Sequence, residues 1–257
     1  MKIGIFDSGI GGLSVLQSAL RRWPGAAYLF YADRAHVPYG QKSPETVRGY
    51  VAEIIRYLLA EGCEAIVIAC NTATSAAAAE MRQLFDVPIL GMEPAVKLSL
   101  DRYPSGRVLT AATPITVHGA KMERLLEKWD GEGRTDLLEL PELVTFAERG
   151  EFLSEAVTAY LREKLAPYPL ADYCSFVLGC THFNYFKDTL RSLLPENVRL
   201  LDGVDGVLRH LAECVEMPSG GAAVPPRFII SGTEAPPEQA AFLEACLRRL
   251  ETMAEIE

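Results

Sequence analysis

No run of about 18 apolar residues, the length a membrane-spanning helix needs, occurs in this 257-residue chain, which excludes a helical membrane protein. A signal segment is not expected either, because Ile3–Phe6 is too short for a signal core and runs straight into Asp7. Positive charge is in deficit, with 25 lysines and arginines against 34 aspartates and glutamates, for a formal charge of −9. That balance argues against nucleic acid or an anionic membrane as the main partner. It also requires any anionic substrate to be held by local donors. The six cysteines, at 63, 70, 174, 180, 214 and 246, include no CxxC pair, so neither a zinc site nor a disulfide framework is expected. Low-complexity and coiled-coil segments are also missing. The expected setting is cytoplasmic, with no metal.

What is present is an ordinary globular composition, 49% apolar and 23% charged, with length enough for a sizeable core. Apolar runs at Ile3–Phe6, Tyr28–Ala32, Ala65–Ala69, Ile89–Met92, Val108–Ala111, Leu137–Leu140, Phe176–Leu178, Arg199–Leu201 and Phe228–Ile230 read as buried strands. Helical patterns lie between most of them. The clearest starts at Ser43-Pro44, a cap followed by proline in the first turn, and ends at Gly62. Strands alternating with helices predict an α/β fold with parallel sheets covered on both faces.

A short pattern occurs twice. Ala65-Ile66-Val67-Ile68-Ala69-Cys70-Asn71-Thr72 and Ser175-Phe176-Val177-Leu178-Gly179-Cys180-Thr181-His182 each end an apolar run on a small residue and a cysteine. Polar residues suited to starting a helix follow. Two openings also match, Lys2–Gly12 and Arg107–Ala120, each a strand, a short polar turn and a helix. Pairing them gives two α/β halves of similar plan, with expected boundaries at 1–94 plus 207–257 and at 95–206. Ligands of open α/β sheets bind at the carboxyl ends of strands. Asp7-Ser8, Cys70-Asn71-Thr72, Thr113 and Cys180-Thr181-His182 all fall there, so a cleft between the halves is the expected site.

Each of these residues has a plainer reading. Asp7-Ser8-Gly9-Ile10-Gly11-Gly12 is either an anion-holding strand-to-helix turn or a tight turn without a ligand. It is not the dinucleotide fingerprint, since Ser14 stands where a third glycine is needed. An isolated buried cysteine is usually a packing residue. The duplication changes the balance, because Asn-Thr and Thr-His are poor neighbours for a purely apolar thiol. A helix N-terminus is expected to lower a thiol's pKa, while a nearby carboxylate would disfavour thiolate at Cys70 and a protonated imidazole would favour it at Cys180. His182 could be an ordinary satisfied histidine, or it could hold a proton beside Cys180 while Asp7 does so beside Cys70. Two acid–base groups facing one another suit stereoinversion at a carbon, where one removes a proton and the other returns one from the opposite face.

At this point the residues resemble a family. Gly4–Gly12, Pro38-Tyr39-Gly40, Ala69–Ala73, Ala112-Thr113-Pro114 and Leu178–His182 are similar, in order and spacing, to the signature segments of glutamate racemases. The resemblance spans nearly the whole chain. It implies two pseudo-symmetric α/β domains with the site between them, and cofactor-independent interconversion of L- and D-glutamate for bacterial peptidoglycan. It also implies that Cys70 acts on the D-enantiomer and Cys180 on the L-enantiomer, with Asp7 and His182 assisting. Asp7, Ser8, Tyr39, Gly40, Asn71, Thr72, Thr113, Thr181 and His182 match substrate-binding positions. Glu148 matches an assisting carboxylate, its plainer reading being a solvated glutamate at a helix start. The implied partner is a small-molecule substrate, with a homodimer allowed. Departures occur at Lys42, Leu140-Pro141, Thr116-Val117-His118 and Ser231-Gly232-Thr233, none of them at a cysteine.

Three other functions fit less well. An aspartate or other amino-acid racemase of the same architecture would differ in how the distal carboxylate is held. A hydrolase or transferase with one nucleophilic cysteine has no need of the second copy. A two-lobed binder would hold its ligand without exchanging the α-proton.

Overall fold

The apolar runs pair as parallel strands, because helices cover both sheet faces and no polar face is required. The computed structural model describes residues 1–256. Among them, β1 (Lys2–Asp7), β2 (Ala27–Ala32), β3 (Ala65–Ile68) and β4 (Ile89–Gly91) build the first sheet. The second consists of β5 (Arg107–Ala112), β6 (Thr135–Glu139), β7 (Tyr173–Leu178) and β8 (Arg199–Leu201). Two later strands, β9 (Arg227–Ile230) and β10 (Thr233–Glu234), extend the first sheet past β2. The strand orders are β10-β9-β2-β1-β3-β4 and β6-β5-β7-β8. Without the two added strands the orders are the same, so β1 corresponds to β5 and β3 to β7. The duplication seen in the sequence is a duplication of topology.

Helices α1 (Leu13–Arg22), α2 (Pro44–Ala60) and α3 (Asn71–Leu84) belong to the first sheet. The second half carries α4 (Val96–Arg102), α5 (Pro114–Val117), α6 (Ala120–Trp129), α7 (Pro141–Glu148), α8 (Glu155–Leu165) and α9 (Lys187–Leu193). The chain then returns through α10 (Val204–Cys214) and α11 (Pro237–Met253), both of which pack on α1. α2 shows how local sequence sets an element. The Ser43 hydroxyl accepts from the Thr46 N–H at 3.2 Å, Pro44 occupies the first turn, and Gly62 follows the end with φ at +81°. Its Val47, Val51, Ile54, Ile55 and Leu58 form the buried stripe. No described helix is long and apolar enough to cross a membrane.

Register decides which residues meet. In the first sheet Asp7 lies beside Ala32, and Phe6 beside Ile68, so the loops after β1, β2 and β3 emerge together. In the second, Ala111 pairs with Leu178, which brings the ends of β5 and β7 side by side. Successive connections run in opposite directions from β1 and from β5, so each sheet has its switch point between the strands that carry these ends. One apolar core crosses from half to half: Ile10 and Leu13 share it with Phe183, Tyr185 and Phe186.

Two details depart from the sequence reading. β10 is an unexpected antiparallel edge of two exposed residues. Cys180 does not start an α-helix: Thr181–Phe186 forms a 3-10 helix, and α9 begins only at Lys187. All six residues of that short helix are buried, so packing rather than helical periodicity sets its path.

Candidate active site

Asp7 ends β1 and is fully buried. Its Oδ1 accepts from the Gly9 N–H at 3.0 Å and the Ser8 hydroxyl at 3.3 Å, while Oδ2 accepts from the Thr181 hydroxyl at 2.9 Å. Burial raises its pKa, and nearby His182 only partly offsets that rise. The glycines after Asp7 are explained by what approaches them. A side chain at Gly9 would collide with the Glu148 carboxylate, and one at Gly11 would sit 2.8 Å from the His182 backbone nitrogen. Two of the loop's N–H groups are engaged by side chains. Gly9 donates to Asp7, and Ile10 donates to Glu148 Oε1 at 2.7 Å. Two of the chain's own carboxylates thus take up N–H groups of this turn.

Cys70 precedes α3 and caps it, its sulfur accepting from the Ala73 N–H at 3.4 Å. The Ser8 hydroxyl is 3.6 Å from the same sulfur. The helix terminus was expected to lower this thiol's pKa and the nearby carboxylate to disfavour its thiolate; the pKa rises, through burial and that carboxylate, against the helix terminus. Burial, followed by the Asp7 charge, pushes Cys70 up to about 12 against the opposing Ala73 and Ser8 contacts. Cys180 is near enough for its charge to add to the rise.

Cys180 stands at the matching place after β7, with its sulfur 3.8 Å from His182 Nδ1. The other ring nitrogen, Nε2, is 2.8 Å from Glu148 Oε1. Burial alone would push the imidazole down, yet its contacts with Cys180 and Glu148 prevail and hold it well above the usual histidine value. Glu148 is held below the usual range despite its burial, chiefly by His182 and also by the Ile10 N–H and Arg34. The two form a buried carboxylate–imidazolium pair. Glu148 is the last residue of α7 with a side chain 11% exposed, so its reading as a solvated helix-start residue does not hold.

The remaining candidates divide into three groups. Thr72 and Thr113, from opposite halves, place their hydroxyls 3.1 Å apart, and Thr116 lies 3.4 and 3.2 Å from them. Gly40 packs on Thr113, where an added Cβ would meet the threonine Cβ at 3.2 Å. Tyr39 is buried and donates to Asp33 Oδ2 at 2.6 Å rather than to the cysteine network. Asn71 is also buried, with its Oδ1 unpartnered beside a small cavity it shares with Ser75, Met92 and Thr116. A wider groove of about 960 Å³, lined by Arg21, Arg102, Lys187 and Arg199, contains neither Cys70 nor Cys180. Strand ends, not cavity size, locate this site.

Sequence reasoning missed Asp33, Arg34 and Thr116. Asp33 is buried and accepts from Tyr39 and, at 2.9 Å, from His36 Nδ1 if that nitrogen is protonated. Arg34 reaches Glu148. A signal was available, since Asp33-Arg34 follows the strand Tyr28–Ala32 just as Asp7-Ser8 follows Ile3–Phe6.

Residues 8–211 match the Asp/Glu/Hydantoin racemase family. The chain belongs to that family. Among racemases it is 52% identical to the glutamate racemase of Campylobacter curvus over 217 residues, 82% of either chain. The solved glutamate racemase of Escherichia coli, in complex with L-glutamate and the activator UDP-MurNAc-ala, aligns with a TM-score of 0.84 at 29% identity, covering 97% of this chain and 94% of that one. The racemase of Campylobacter jejuni aligns with a TM-score of 0.83 at 25% identity, over 96% and 98% of the two chains. Racemases are isomerases, and this chain is an enzyme of that class.

Proposed function

We propose that this racemase interconverts L- and D-glutamate without a cofactor, one cysteine removing the α-proton and the other returning one from the opposite face. The observation that carries the reading is the pair of thiols at corresponding strand ends, Cys70 joined to Asp7 through the Ser8 hydroxyl and Cys180 in contact with His182. The relatives' activity supports glutamate as substrate. In the L-to-D direction Cys180, beside the His182 imidazolium, takes the α-proton, and the high-pKa Cys70 thiol supplies one. The reverse direction needs Cys70 as thiolate. Ser8 lies within reach of both the Cys70 sulfur and Asp7 Oδ1, so the carboxylate can receive the Cys70 proton through that hydroxyl.

Hydroxyl and amide groups of Ser8, Asn71, Thr72, Thr113 and Thr181 serve the substrate carboxylates and the charge that develops on the α-carbon's carboxylate. Local donors of this kind are required in a protein of net charge −9. Tyr39 and Gly40 shape the wall next to Thr113. We further assign residues 1–94 with 207–257 to one domain and 95–206 to the other, with product D-glutamate directed to peptidoglycan in the cytoplasm.

The test is α-proton exchange in D₂O with L- and D-glutamate, followed by NMR and circular dichroism without added cofactor. Wild type should exchange and lose optical activity with either enantiomer. Cys70→Ser should retain exchange only from L-glutamate, and Cys180→Ser only from D-glutamate. Absence of exchange from folded wild type would exclude glutamate as substrate, and aspartate is the next substrate to try.

A further inference from the structure

Arg34 stands at the carboxyl end of the first sheet and grips a residue of the second half. Its Nε donates to Glu148 Oε2 at 2.9 Å, and Nη2 donates to the Glu148 main-chain oxygen at 3.0 Å. The guanidinium also lies over the Phe242 ring of α11, 5.4 Å from its centroid. With Oε2 held this way, Oε1 is left to face the Ile10 N–H and His182 Nε2. One cation therefore sets both the rotamer of the carboxylate and the position of the helix end that carries it. The chain of contacts continues through the imidazole to the sulfur of Cys180.

We infer that Arg34 is a positioning residue for the Cys180 side of the reaction, acting through Glu148 and His182. The inference rests on the two-thiol reading above. Arg34 touches no thiol, and its planar fork meets two acceptors that one ammonium could not meet with the same geometry. The direct contacts of Cys70 are the Ser8 hydroxyl and the Ala73 N–H, neither of which touches Arg34, Glu148 or His182. Losing the fork should thus impair one face of the site and spare the other.

Racemisation alone cannot show this asymmetry. The enantiomers are equal in energy, so kcat/KM must match in the two directions for every variant. A 3-chloroglutamate separates the faces. Once a thiolate has taken its α-proton, the C–Cl electron pair leaves as chloride, and the enamine hydrolyses to 2-oxoglutarate and ammonium, so one base suffices. The experiment compares chloride release from the L- and D-isomers by wild type, Arg34→Gln and Arg34→Lys, with folding checked by circular dichroism. Arg34→Gln should lower kcat on the L-isomer about 10-fold or more, leave KM within about 2-fold, and change the D-isomer by less than about 2-fold. Arg34→Lys, which keeps the charge and loses the fork, should lie between. Equal losses on both isomers, or no loss, would overturn the inference. If Arg34→Gln does not fold, the same asymmetry is required of Arg34→Lys, and its absence there is equally fatal. Failure of wild type to racemise glutamate would instead remove the reading on which this one rests.

Discussion

The Thr181 hydroxyl donates to Asp7 Oδ2 at 2.9 Å, joining the loop after β7 to the end of β1. This bond links the two halves at the point where their acid–base groups meet. Asp7 is fully buried, so an oxygen deprived of its donor has no water to replace it. Thr181→Val, which keeps the shape and deletes the hydroxyl, should destabilise the fold by about 1–3 kcal/mol. Because the bond favours the ionised carboxylate, the variant should also raise the Asp7 pKa further. Urea unfolding and carboxyl NMR titration check the two effects separately.

The raised pKa of Asp7 has a sign that can be tested. Its folded pKa lies above the ordinary 3.8, so the folded state binds more protons than the unfolded one in the interval between them. Its contribution to stability is complete below 3.8 and is lost as pH rises through the folded value. At neutral pH the burial of this group is a cost to stability. Asp7→Asn should therefore show no stability loss from this group across that interval, and should be as stable as wild type or more so at pH 7 while losing activity. Denaturant unfolding between pH 4 and 8, paired with racemase assays, measures both.

Cys70 acts in the alkaline range. With its pKa pushed from 9.0 to about 12, the folded state again holds the proton that the unfolded state loses. Stability should fall as pH rises above 9. Cys63, raised to about 11, and Cys246, raised to about 12, add to the slope through burial. Cys70→Ala should flatten urea-unfolding stability between pH 8.5 and 10.5 without abolishing the decline. An unchanged slope would show that the thiol is less shielded than its 6% exposure implies.

How much of this was legible in the sequence depended on whether the cause was local. Buried parallel strands show as unbroken apolar runs, so the ends carrying Asp7, Cys70, Thr113 and Cys180 could be located. Thr233-Glu234 could not, because two exposed polar residues carry no apolar signal and are strand only by pairing with Ile229 and Ile230. The 3-10 path after Cys180 depends on packing of Phe183, Tyr185 and Phe186 into a core shared with the first half. Glu148 was ambiguous because nothing in Ala147-Glu148-Arg149 announces His182 or Ile10 as neighbours. Gly9 and Gly11 were visible as a motif, but their reason lies in the opposite half.

That last point gives a paired substitution. At Gly11 an added methyl meets the His182 backbone nitrogen at 2.8 Å, and backbone cannot turn aside. Gly11→Ala should hold the halves apart and lower activity about 100-fold or more, since misplacement of catalytic groups by 1 Å has effects of that size. Gly49, inside α2, has nothing within 4 Å of its added Cβ. Gly49→Ala should leave activity intact and stabilise the protein by about 0.4–1 kcal/mol through the entropy of the unfolded chain. Equal activity in the two variants would contradict the close approach seen at Gly11.

Glu148→Gln tests the charge state of the imidazole most directly. In the wild type burial opposes protonation of His182, and contacts with Cys180 and Glu148 override it. Glutamine keeps the size and removes the negative charge, so burial gains weight and the imidazole pKa should fall. The wild-type pair contributes fully to stability above 4.5, where free glutamate is ionised, and below 6.5, where free histidine is charged. Its share is lost as pH falls through the lowered Glu148 value or rises through the raised His182 value. The variant loses this plateau. If the imidazolium is the form that supports Cys180, removal of the α-proton from L-glutamate by Glu148→Gln should be weak at pH 8 and should recover as pH is lowered toward 6. Histidine ¹⁵N shifts recorded over the same range would show whether His182 gains its proton as activity returns. Recovery without a change at His182 would assign the effect to the carboxylate itself.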